Sequence, residues 1–520
     1  MRQQQALDIL KSGASVFLTG APGSGKTYVL NQFVQWARMQ GLSVAMTAST
    51  GIAATHINGQ TIHSFSGIGV HTWLADTTLK TIRQRRRKII ANTDVLVIDE
   101  VSMLHAWAFD LVDTVCRKLR RDERPFGGLQ VVLSGDFFQL PPVSNSRRNQ
   151  DLLEPDEGLL QAREPYARYG LNPEGFITQS LVWQQLRPTI CYLDEQHRQD
   201  DGKLLHVLTD IRAGRVSAAD QQVMNSRLGL MPDEDEVAVH LFPTNAQADK
   251  LNAMRLQAIA HDEHVFEHTH AGNSAMVKRL LQTMLAPSTL VLKIGATVMA
   301  LRNDQDKQYV NGSLGTVIGF TPERRGGWPI VEFANGNTTV VRPADWQMLD
   351  GQEVVASVTQ VPLRLAWGIT IHKSQGMTLD RAVMDLRRTF TPGMGYVALS
   401  RVERLSGLYM QGIHARAYEI SQEAFDLDTA LHDDDAHAQL KLATYGAKAF
   451  APAQYGHMAN GAQHNATQGV LTQDALTQGA LFAAGSLFDD GAEIASEGSD
   501  NTADAGTDAD DDEFALADPF

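Results

Sequence analysis

The chain's clearest chemical signal is the glycine-rich octapeptide GAPGSGKT at residues 20–27. An apolar run precedes it and an amphipathic stretch follows, so it would join a strand, Val16 to Leu18, to a helix, Tyr28 to Met39. In that context glycines let backbone N–H groups close on a triphosphate, and lysine reaches the terminal phosphates. The predicted nucleotide site contains Gly20, Ala21, Pro22, Gly23, Ser24, Gly25, Lys26 and Thr27, with Thr27 as a ligand of Mg²⁺.

Acidic and amide side chains at two later strand ends complete this prediction. Asp99 and Glu100 follow the apolar run VLVI, where Asp99 would hold the metal ion and Glu100 would activate the attacking water. Gln139 lies in GDFFQLPP after the buried strand Val131 to Leu133, and its amide would sense the γ-phosphate. For Asp136 in the same string, capping of a turn is as good an interpretation as a role in the site. The sequence therefore predicts ATP hydrolysis with Mg²⁺ as cofactor.

A longer segment narrows the class of ATPase. Residues 117–143, RKLRRDERPFGGLQVVLSGDFFQLPPV, place an Arg/Lys-rich helix and PFGG before the buried strand. Together with GAPGSGKT and VIDEVSML, this segment resembles the signature of the PIF family of 5′-to-3′ DNA helicases of superfamily 1B, over residues 1 to about 425. The resemblance implies a motor that translocates on single-stranded DNA and unwinds duplex, in a family tied to replication, repair, recombination and telomere maintenance. Its polarity is inherited from the family.

Two other functions remain open. One is a RecD-like translocase subunit, against which the PFGG and GDFFQLPP block argues. The other is a DNA-stimulated ATPase that remodels proteins without unwinding DNA. Strand displacement from forked duplexes separates the three.

The same resemblance assigns further residues to the nucleotide site. Gln5 resembles the glutamine that reads adenine in superfamily 1 helicases, and Gly376 would approach or relay the nucleotide. Arg198, in LDEQHRQ, and Arg401, in YVALSRV, resemble the arginines of motifs IV and VI, although relatives often have an aromatic residue in place of His197. Because both arginines belong to the second half, ATP would lie between the two halves, and its hydrolysis would change their separation.

Two strings resemble the helicase motifs that contact DNA. The string TASTGIAATHINGQTIHSFSGIG, residues 47–69, resembles motifs Ia to Ic, and ITIHKSQGMTLD, residues 369–380, resembles motif V. Their hydroxyl, amide and basic groups suit phosphates and sugars, which position a strand without reading its sequence. The candidates are Ser49, Thr50, Gly51, His63, Ser64, Thr244, Asn245, His372, Lys373 and Ser374, while Phe65, Phe242 and Trp367 would either stack on bases or pack in a core.

Two neighbouring segments have alternative interpretations. The run RQRRRK, residues 83–88, is either an exposed helical face or a contact to duplex phosphates. Residues 68–78 form a hairpin-like excursion at the place where relatives carry a strand-separating wedge.

The resemblance and the strand pattern predict an α/β fold of two RecA-like P-loop domains with parallel sheets. The predicted first domain is 1–186, with the small wedge insertion, and the second is 187–428. Strands Val237 to Phe242, Val361 to Leu365 and Leu408 to Met410 are assigned to the second domain. Short β segments between turn signals predict an SH3-like β-barrel inserted at about 290–360, and residues 144–175 form a surface insertion of unassigned role.

Charge is distributed unevenly along the chain. The net charge is −15, but residues 451–520 hold 13 acidic and no basic side chains, which leaves 47 acids against 45 bases in the rest. A near-neutral body can line a groove with cations, whereas the Ala/Gly/Gln/Asp-rich segment 450–520 is predicted to be a disordered acidic tail. Two cysteines 75 positions apart, no apolar run of about 18 residues and an ATPase motif close to Met1 predict a soluble, cytoplasmic protein without a targeting peptide, associated with the nucleoid in a bacterium.

The tail contains two peptides that resemble docking motifs. Residues 478–482, QGALF, resemble the peptide that docks on bacterial sliding clamps, and DDDEFALADPF at the end resembles the acidic tip of bacterial single-strand-binding proteins. The alternative for both is slippage of a five-residue repeat in low-complexity sequence.

Overall fold

The computed structural model describes residues 1–57, 59–69, 71–142, 157–195, 202–233, 238–284, 286–304, 306, 308–309, 312–350 and 353–452. The predicted disordered tail from residue 453 onward, with both docking peptides, lies outside these ranges, as does Arg198. Of the predicted surface insertion, residues 157–175 are described.

The first domain contains a six-stranded parallel sheet in the order β3-β2-β4-β5-β1-β6. Strands β1, β4 and β5 are apolar and almost wholly buried, because helices cover both faces of the sheet. Its elements are α1 (Gln3–Lys11), β1 (Val16–Gly20), α2 (Lys26–Met39), β2 (Val44–Ala48), α3 (Gly51–His56), β3 (Gln60–Thr61), α4 (Ile62–Ser66), α5 (Asp76–Ala91), β4 (Val95–Asp99), α6 (Ala106–Arg120), β5 (Gln130–Ser134), α7 (Glu157–Arg168), α8 (Trp183–Leu186) and β6 (Thr189–Leu193).

The second domain contains a four-stranded parallel sheet in the order β18-β7-β19-β20. Its elements and those inserted in it are α9 (Lys203–Arg212), α10 (Ala218–Asn225), β7 (Val239–Phe242), α11 (Asn245–Ala258), β8 (His264–Glu267), β9 (Thr269–Gly272), α12 (Ser274–Thr283), β10 (Thr289–Leu292), β11 (Thr297–Ala300), β12 (Leu314–Phe320), β13 (Pro329–Phe333), β14 (Thr338–Val340), β15 (Ala344–Asp350), β16 (Glu353–Gln360), β17 (Leu363–Leu365), β18 (Gly368–Thr370), β19 (Ala382–Leu386), α13 (Met394–Leu399), β20 (Leu408–Ile413) and α14 (Gln422–Tyr445). The two parallel sheets agree with the predicted fold class.

One predicted domain boundary and one predicted strand assignment need correction. Strand β6 pairs with β1 from Val16↔Thr189 to Gly20↔Leu193, so the first sheet extends beyond the predicted boundary at residue 186. The strand predicted at Val361 to Leu365 appears as β17, which pairs with β11 of the inserted β region rather than with the parallel sheet. The strand at β17 was predicted from its apolar pattern and β6 was not, and the pattern does not reveal the partner of either strand.

The inserted β region is larger than predicted. A five-stranded antiparallel sheet, β14-β13-β12-β11-β17, includes all four β segments that the sequence indicated. The pair β10-β8, the three-stranded sheet β15-β16-β9 and helix α12 accompany it. The region therefore begins near residue 264 rather than 290, because the exposed strands β8 and β9 carry a weak apolar pattern.

Helix α14 joins the two domains, and the predicted end at residue 428 falls inside it. Ala424 packs in the core of the second domain, whereas Leu431 and Ala438 pack in the two cores on either side of the first sheet. Asp435 accepts a hydrogen bond from Tyr192 N at 2.9 Å. The helix therefore bridges the seam along which the domains meet.

Candidate nucleotide and nucleic-acid site

The phosphate loop has the strand-loop-helix geometry that the sequence predicts. Gly20, Gly23 and Gly25 all have positive φ, and a Cβ at Gly20 would lie 2.5 Å from Leu193 O. Lys26 Nζ donates to Gly20 O at 2.7 Å and to Ala21 O at 3.1 Å, so it lies across the loop. Burial lowers the pKa of Lys26, an effect that the nearby carboxylates Asp136, Glu100 and Asp99 oppose.

Two buried polar atoms near this loop support a ligand there. Ser24 Oγ and Gln139 Oε1 are inaccessible and have no hydrogen-bond partner within the described part of the chain. An unpaired buried polar atom costs free energy, which a bound polyanion with its water and metal ion would recover. Thr27 is exposed at the start of α2. The loop residues therefore fit a nucleotide triphosphate.

Asp99 and Glu100 lie at the end of β4, in the same sheet as β1, the strand that leads into the phosphate loop. Asp99 Oδ1 accepts from Glu100 N at 3.0 Å, and burial together with the Glu100 charge raises the pKa of Asp99 to about 6. Glu100 has φ 53° and ψ 45°, a strained conformation for a residue with a side chain. Ser49 Oγ donates to Glu100 O at 2.6 Å and holds this conformation. Ser49, predicted to contact DNA, therefore positions Glu100.

The second domain contacts Glu100 directly. Gln375 Nε2 donates to Glu100 Oε2 at 3.1 Å and lies 3.3 Å from Ser102 Oγ. A Cβ at Gly376, the predicted relay residue, would lie 3.5 Å from Glu100 Oε1. The motif ITIHKSQG predicts roles for the neighbours of Gln375 but not for Gln375 itself, because only the packing of the two domains creates this contact.

The predicted adenine-reading residue is replaced by a neighbour. Gln5 Oε1 accepts from Arg2 N at 3.0 Å and caps α1, whereas Gln3 Nε2 donates to Ser24 O at 3.0 Å, on the phosphate loop. Successive helical residues point about 100° apart, so only one of three adjacent glutamines faces the loop. The structure brings Gln3, not Gln5, to the nucleotide site.

The two predicted arginine fingers have different outcomes. Arg198 lies outside the described residues. Arg401 is buried and donates to Val397 O, Ser374 O and Met377 O, with Ser400 Oγ at 2.8 Å. In this conformation Arg401 braces the loop that carries Gln375; its role as a finger remains a prediction.

Of the candidate DNA contacts of the first domain, the polar residues lie at or near the surface and the aromatic residue lies in the core. Thr50 Oγ1 accepts from Ala53 N and, with Gly51, begins α3, while Ser64 is exposed on α4. His63, beside Ser64, is partly buried. Burial lowers the pKa of His63, and the neighbouring His105 lowers it further, so His63 would face DNA as a neutral group. Phe65 is fully buried in the core, which rules out base stacking by this side chain.

The second-domain candidates converge around Lys373. Lys373 Nζ donates to Asn245 Oδ1 at 2.8 Å, and both burial and the nearby Arg364 lower the pKa of Lys373. Arg364 on β17 was not predicted; its Nε is buried and has no hydrogen-bond partner within the described ranges. Three positively charged or polar groups therefore face one surface.

Other candidates of this domain have local roles. Ser374 is fully buried and donates to Ile371 O at 2.8 Å, so its side chain is not available to a phosphate. Burial lowers the pKa of His372, which stacks on the exposed Phe390. Thr244 is exposed and donates to Gln247 Oε1 at 2.9 Å. Partly buried aromatics complete the group: Phe242 packs on Gly368, and Trp367 packs against the core of the inserted β region.

The predicted wedge is a loop that leads into the basic helix α5, rather than a hairpin. Trp73 of this loop meets Gly158 of α7, where a Cβ would lie 2.6 Å from the indole. On α5, Arg83, Arg87 and Lys88 are exposed. The exposed face agrees with one interpretation of the basic run, and contact with duplex phosphates remains a prediction.

The PFGG signature folds back on α6 as a brace. Asp113 Oδ1 accepts from Phe126 N at 2.6 Å, and Arg120 Nε donates to Gly127 O at 2.6 Å. The same guanidinium donates to Ile90 O at 3.0 Å, in the last turn of α5, and to Thr93 O at 2.8 Å, between α5 and β4. The signature and Arg120 therefore hold the end of the basic helix against α6.

Comparisons with known proteins agree with this arrangement. Residues 3–155 match the model of the PIF1-like helicase family, and residues 276–320 match that of the DNA helicase Pif1 2B domain. An ATP-dependent DNA helicase Pif1 from Psychrobacter sp. (strain PRwf-1) is 35% identical, over 84% of this chain and 72% of its own. The chain belongs to the Pif1 family. A Pif1 relative from Bdellovibrio bacteriovorus is 33% identical, over 80% of this chain and 88% of its own.

Solved Pif1 structures extend the likeness to the fold. The crystal structure of Pif1 from Candida albicans has a TM-score of 0.71 and 31% identity, covering 82% of this chain and 98% of its own. A Bacteroides Pif1 in complex with ADP-AlF3 and single-stranded DNA has a TM-score of 0.63 and 28% identity, covering 83% of this chain and 96% of its own. Within the described ranges, no helix of this Pif1-family chain is both long and apolar enough to cross a membrane.

Proposed function

We propose that this protein is an ATP-dependent DNA helicase that moves 5′ to 3′ on single-stranded DNA and separates duplex ahead of it. The observation that carries the proposal is the contact of Gln375, from the second domain, with Glu100 of the first, the proposed catalytic base. Because hydrolysis would occur at a seam between two domains, a change in nucleotide state changes how the domains meet. The relatives named ATP-dependent DNA helicase support this assignment.

Each residue of the seam has a task in the proposed reaction. Lys26 would leave the carbonyls of its own loop and hold the terminal phosphates, while Glu100 would accept a proton from the attacking water. Thr27 and Asp99 would hold Mg²⁺, which when bound neutralises charge on the β- and γ-phosphates. Gln3 would face the base, and Gln139 would sense the γ-phosphate. Arg198 and Arg401 remain the proposed arginine fingers.

The nucleic-acid track would run along the other side of the seam. We place one phosphate contact on Thr50, Gly51, His63 and Ser64 of the first domain, and the other on Asn245, Arg364, His372 and Lys373 of the second. Two grips on different domains move along a strand when the distance between them changes. The Bacteroides Pif1 structure with single-stranded DNA supports a strand-binding groove in this fold.

Strand displacement on tailed duplexes tests the proposal. We expect ATP-dependent displacement from a duplex with a 5′ tail and from a fork with both tails, and little from a duplex with a 3′ tail alone. Displacement from the 3′ tail alone would contradict the polarity. ATP hydrolysis that single-stranded DNA stimulates, without displacement from any substrate, would favour the protein remodeller; displacement only within a larger complex would favour the RecD-like subunit.

Partners and location are proposed from sequence alone. Residues 478–482 would dock on a sliding clamp and the C-terminal tip on partners of single-strand-binding proteins, although both lie outside the described residues. Loss of clamp capture on Leu481→Ala plus Phe482→Ala checks the first, and persistent capture would contradict it. A cytoplasmic, DNA-associated location remains part of this proposal.

A further inference from the structure

Arg212, the last residue of α9, is largely but not fully buried where the two domains meet. Its Nη1 donates to Asp136 Oδ1 at 2.8 Å, and its Nη2 donates to Tyr192 OH at 2.6 Å; both partners belong to the first domain. Nη1 also lies 3.2 Å from Tyr396 OH of the second domain, and Nη2 lies 3.2 Å from Asp428 Oδ1 of α14. One guanidinium therefore joins both domains and the bridging helix.

Asp136 organises the loop that carries the proposed γ-phosphate sensor. Its carboxylate is fully buried and also accepts from Phe138 N at 3.2 Å, while its carbonyl accepts from Gln139 N at 3.0 Å. The Arg212 guanidinium covers the Phe138 ring, with 4.1 Å between the guanidinium carbon and the ring centroid. The conformation around Gln139 therefore depends on an arginine from the opposite domain.

The ion pair between Arg212 and Asp136 crosses the seam. The Asp136 carboxylate belongs to the first domain and the Arg212 guanidinium to the second, and their closest atoms are 2.8 Å apart. Separation of the domains would take away both second-domain partners of the Asp136 carboxylate, Arg212 and Tyr396. The carboxylate would then lose the contacts that fix it in the closed seam, so the loop would rearrange when the seam opens.

We propose that Arg212 is a positioning residue that makes ATP hydrolysis depend on domain closure, because it sets the Asp136–Gln139 loop only when the seam is closed. This inference rests on the proposed function, in which DNA spans both domains and favours the closed state. Stimulation of hydrolysis by single-stranded DNA would then pass through this ion pair. Neither the sequence motifs nor the predicted arginine fingers include Arg212.

The test compares Arg212→Lys and Arg212→Ala with the control Asp428→Asn. The control removes the charge of the other acidic partner of Arg212, on α14, and leaves the Arg212–Asp136 contact in place. The readout is the ratio of the hydrolysis rates with and without saturating oligothymidine, together with ATP KM and the thermal midpoint. We expect this ratio to fall at least about tenfold in both Arg212 variants and to stay within about twofold of the wild-type ratio in Asp428→Asn.

Three results would overturn the inference. The first is a wild-type ratio in both Arg212 variants. The second is an equal loss of the ratio in Asp428→Asn, which would indicate a general contact with α14. The third is a loss of both rates in the Arg212 variants in proportion to a lowered thermal midpoint, which would indicate a structural role. A wild-type rate that oligothymidine fails to raise would instead overturn the proposed function. Arg212→Lys keeps the charge, so it guards against a variant that simply fails to fold.

Discussion

Lys26→Ala is expected to abolish nearly all ATP hydrolysis, with a loss of at least about 10² to 10³-fold in kcat. The ammonium is the positive charge at the start of α2, and it lies across Gly20 and Ala21 where the terminal phosphates would bind. Since burial lowers the pKa of Lys26, removal of this charged group should leave the thermal midpoint equal to or above that of the wild type. Steady-state hydrolysis with saturating oligothymidine measures the effect.

A matched control separates this effect from general charge removal. Lys118→Ala removes an exposed lysine from α6 of the same domain, so it should hydrolyse ATP at the wild-type rate. Hydrolysis by Lys26→Ala within tenfold of the wild type would contradict the nucleotide site as described. A large loss in Lys118→Ala would show that the assay responds to charge rather than to position.

Glu100→Gln is expected to lower kcat by about 10² to 10⁴-fold while nucleotide and DNA binding persist. Glutamine has nearly the shape of glutamate and can still accept from Gln375 Nε2, but it cannot take a proton from water. The substitution also removes the charge that helps to raise the pKa of Asp99, so that pKa should fall from about 6 toward its ordinary value. Metal binding by Asp99 should therefore be retained or improved.

The expected signature is a binding-competent but inactive protein. Fluorescence anisotropy should show that Glu100→Gln binds single-stranded DNA in the presence of ATP at least as tightly as the wild type. Glu123→Gln, an exposed acid after α6, serves as the control and should behave as the wild type. Near-normal kcat in Glu100→Gln would assign the base elsewhere, and loss of ATP binding would assign Glu100 a structural role.

Local chemistry made much of the site predictable. The strand, loop and helix around GAPGSGKT and the position of Asp99 and Glu100 at the end of β4 agree with the prediction, because the residues that define them are adjacent in sequence. The inserted β segments were recognised for the same reason. What the sequence could not supply was partner choice: β6 joins the first sheet and β17 the inserted region through long-range pairing alone.

The misassigned residues have the same cause. Phe65 and Ser374 stand in strings typical of DNA contacts, yet packing buries both side chains. Gln3 and Gln5 differ only in which side of α1 meets the phosphate loop. Arg212 lies outside every recognised motif, because its importance comes from contacts with residues between 20 and 216 positions away, of which Asp136 is one.

We infer that ATP hydrolysis at the seam between the two domains drives the protein along a DNA strand. Release of streptavidin from biotinylated oligonucleotides measures this movement without any duplex to unwind. We predict rapid ATP-dependent release from the 3′ end, slow release from the 5′ end and no acceleration with Lys26→Ala. Equal release from both ends, or release from the 3′ end at the same rate without ATP, would contradict it.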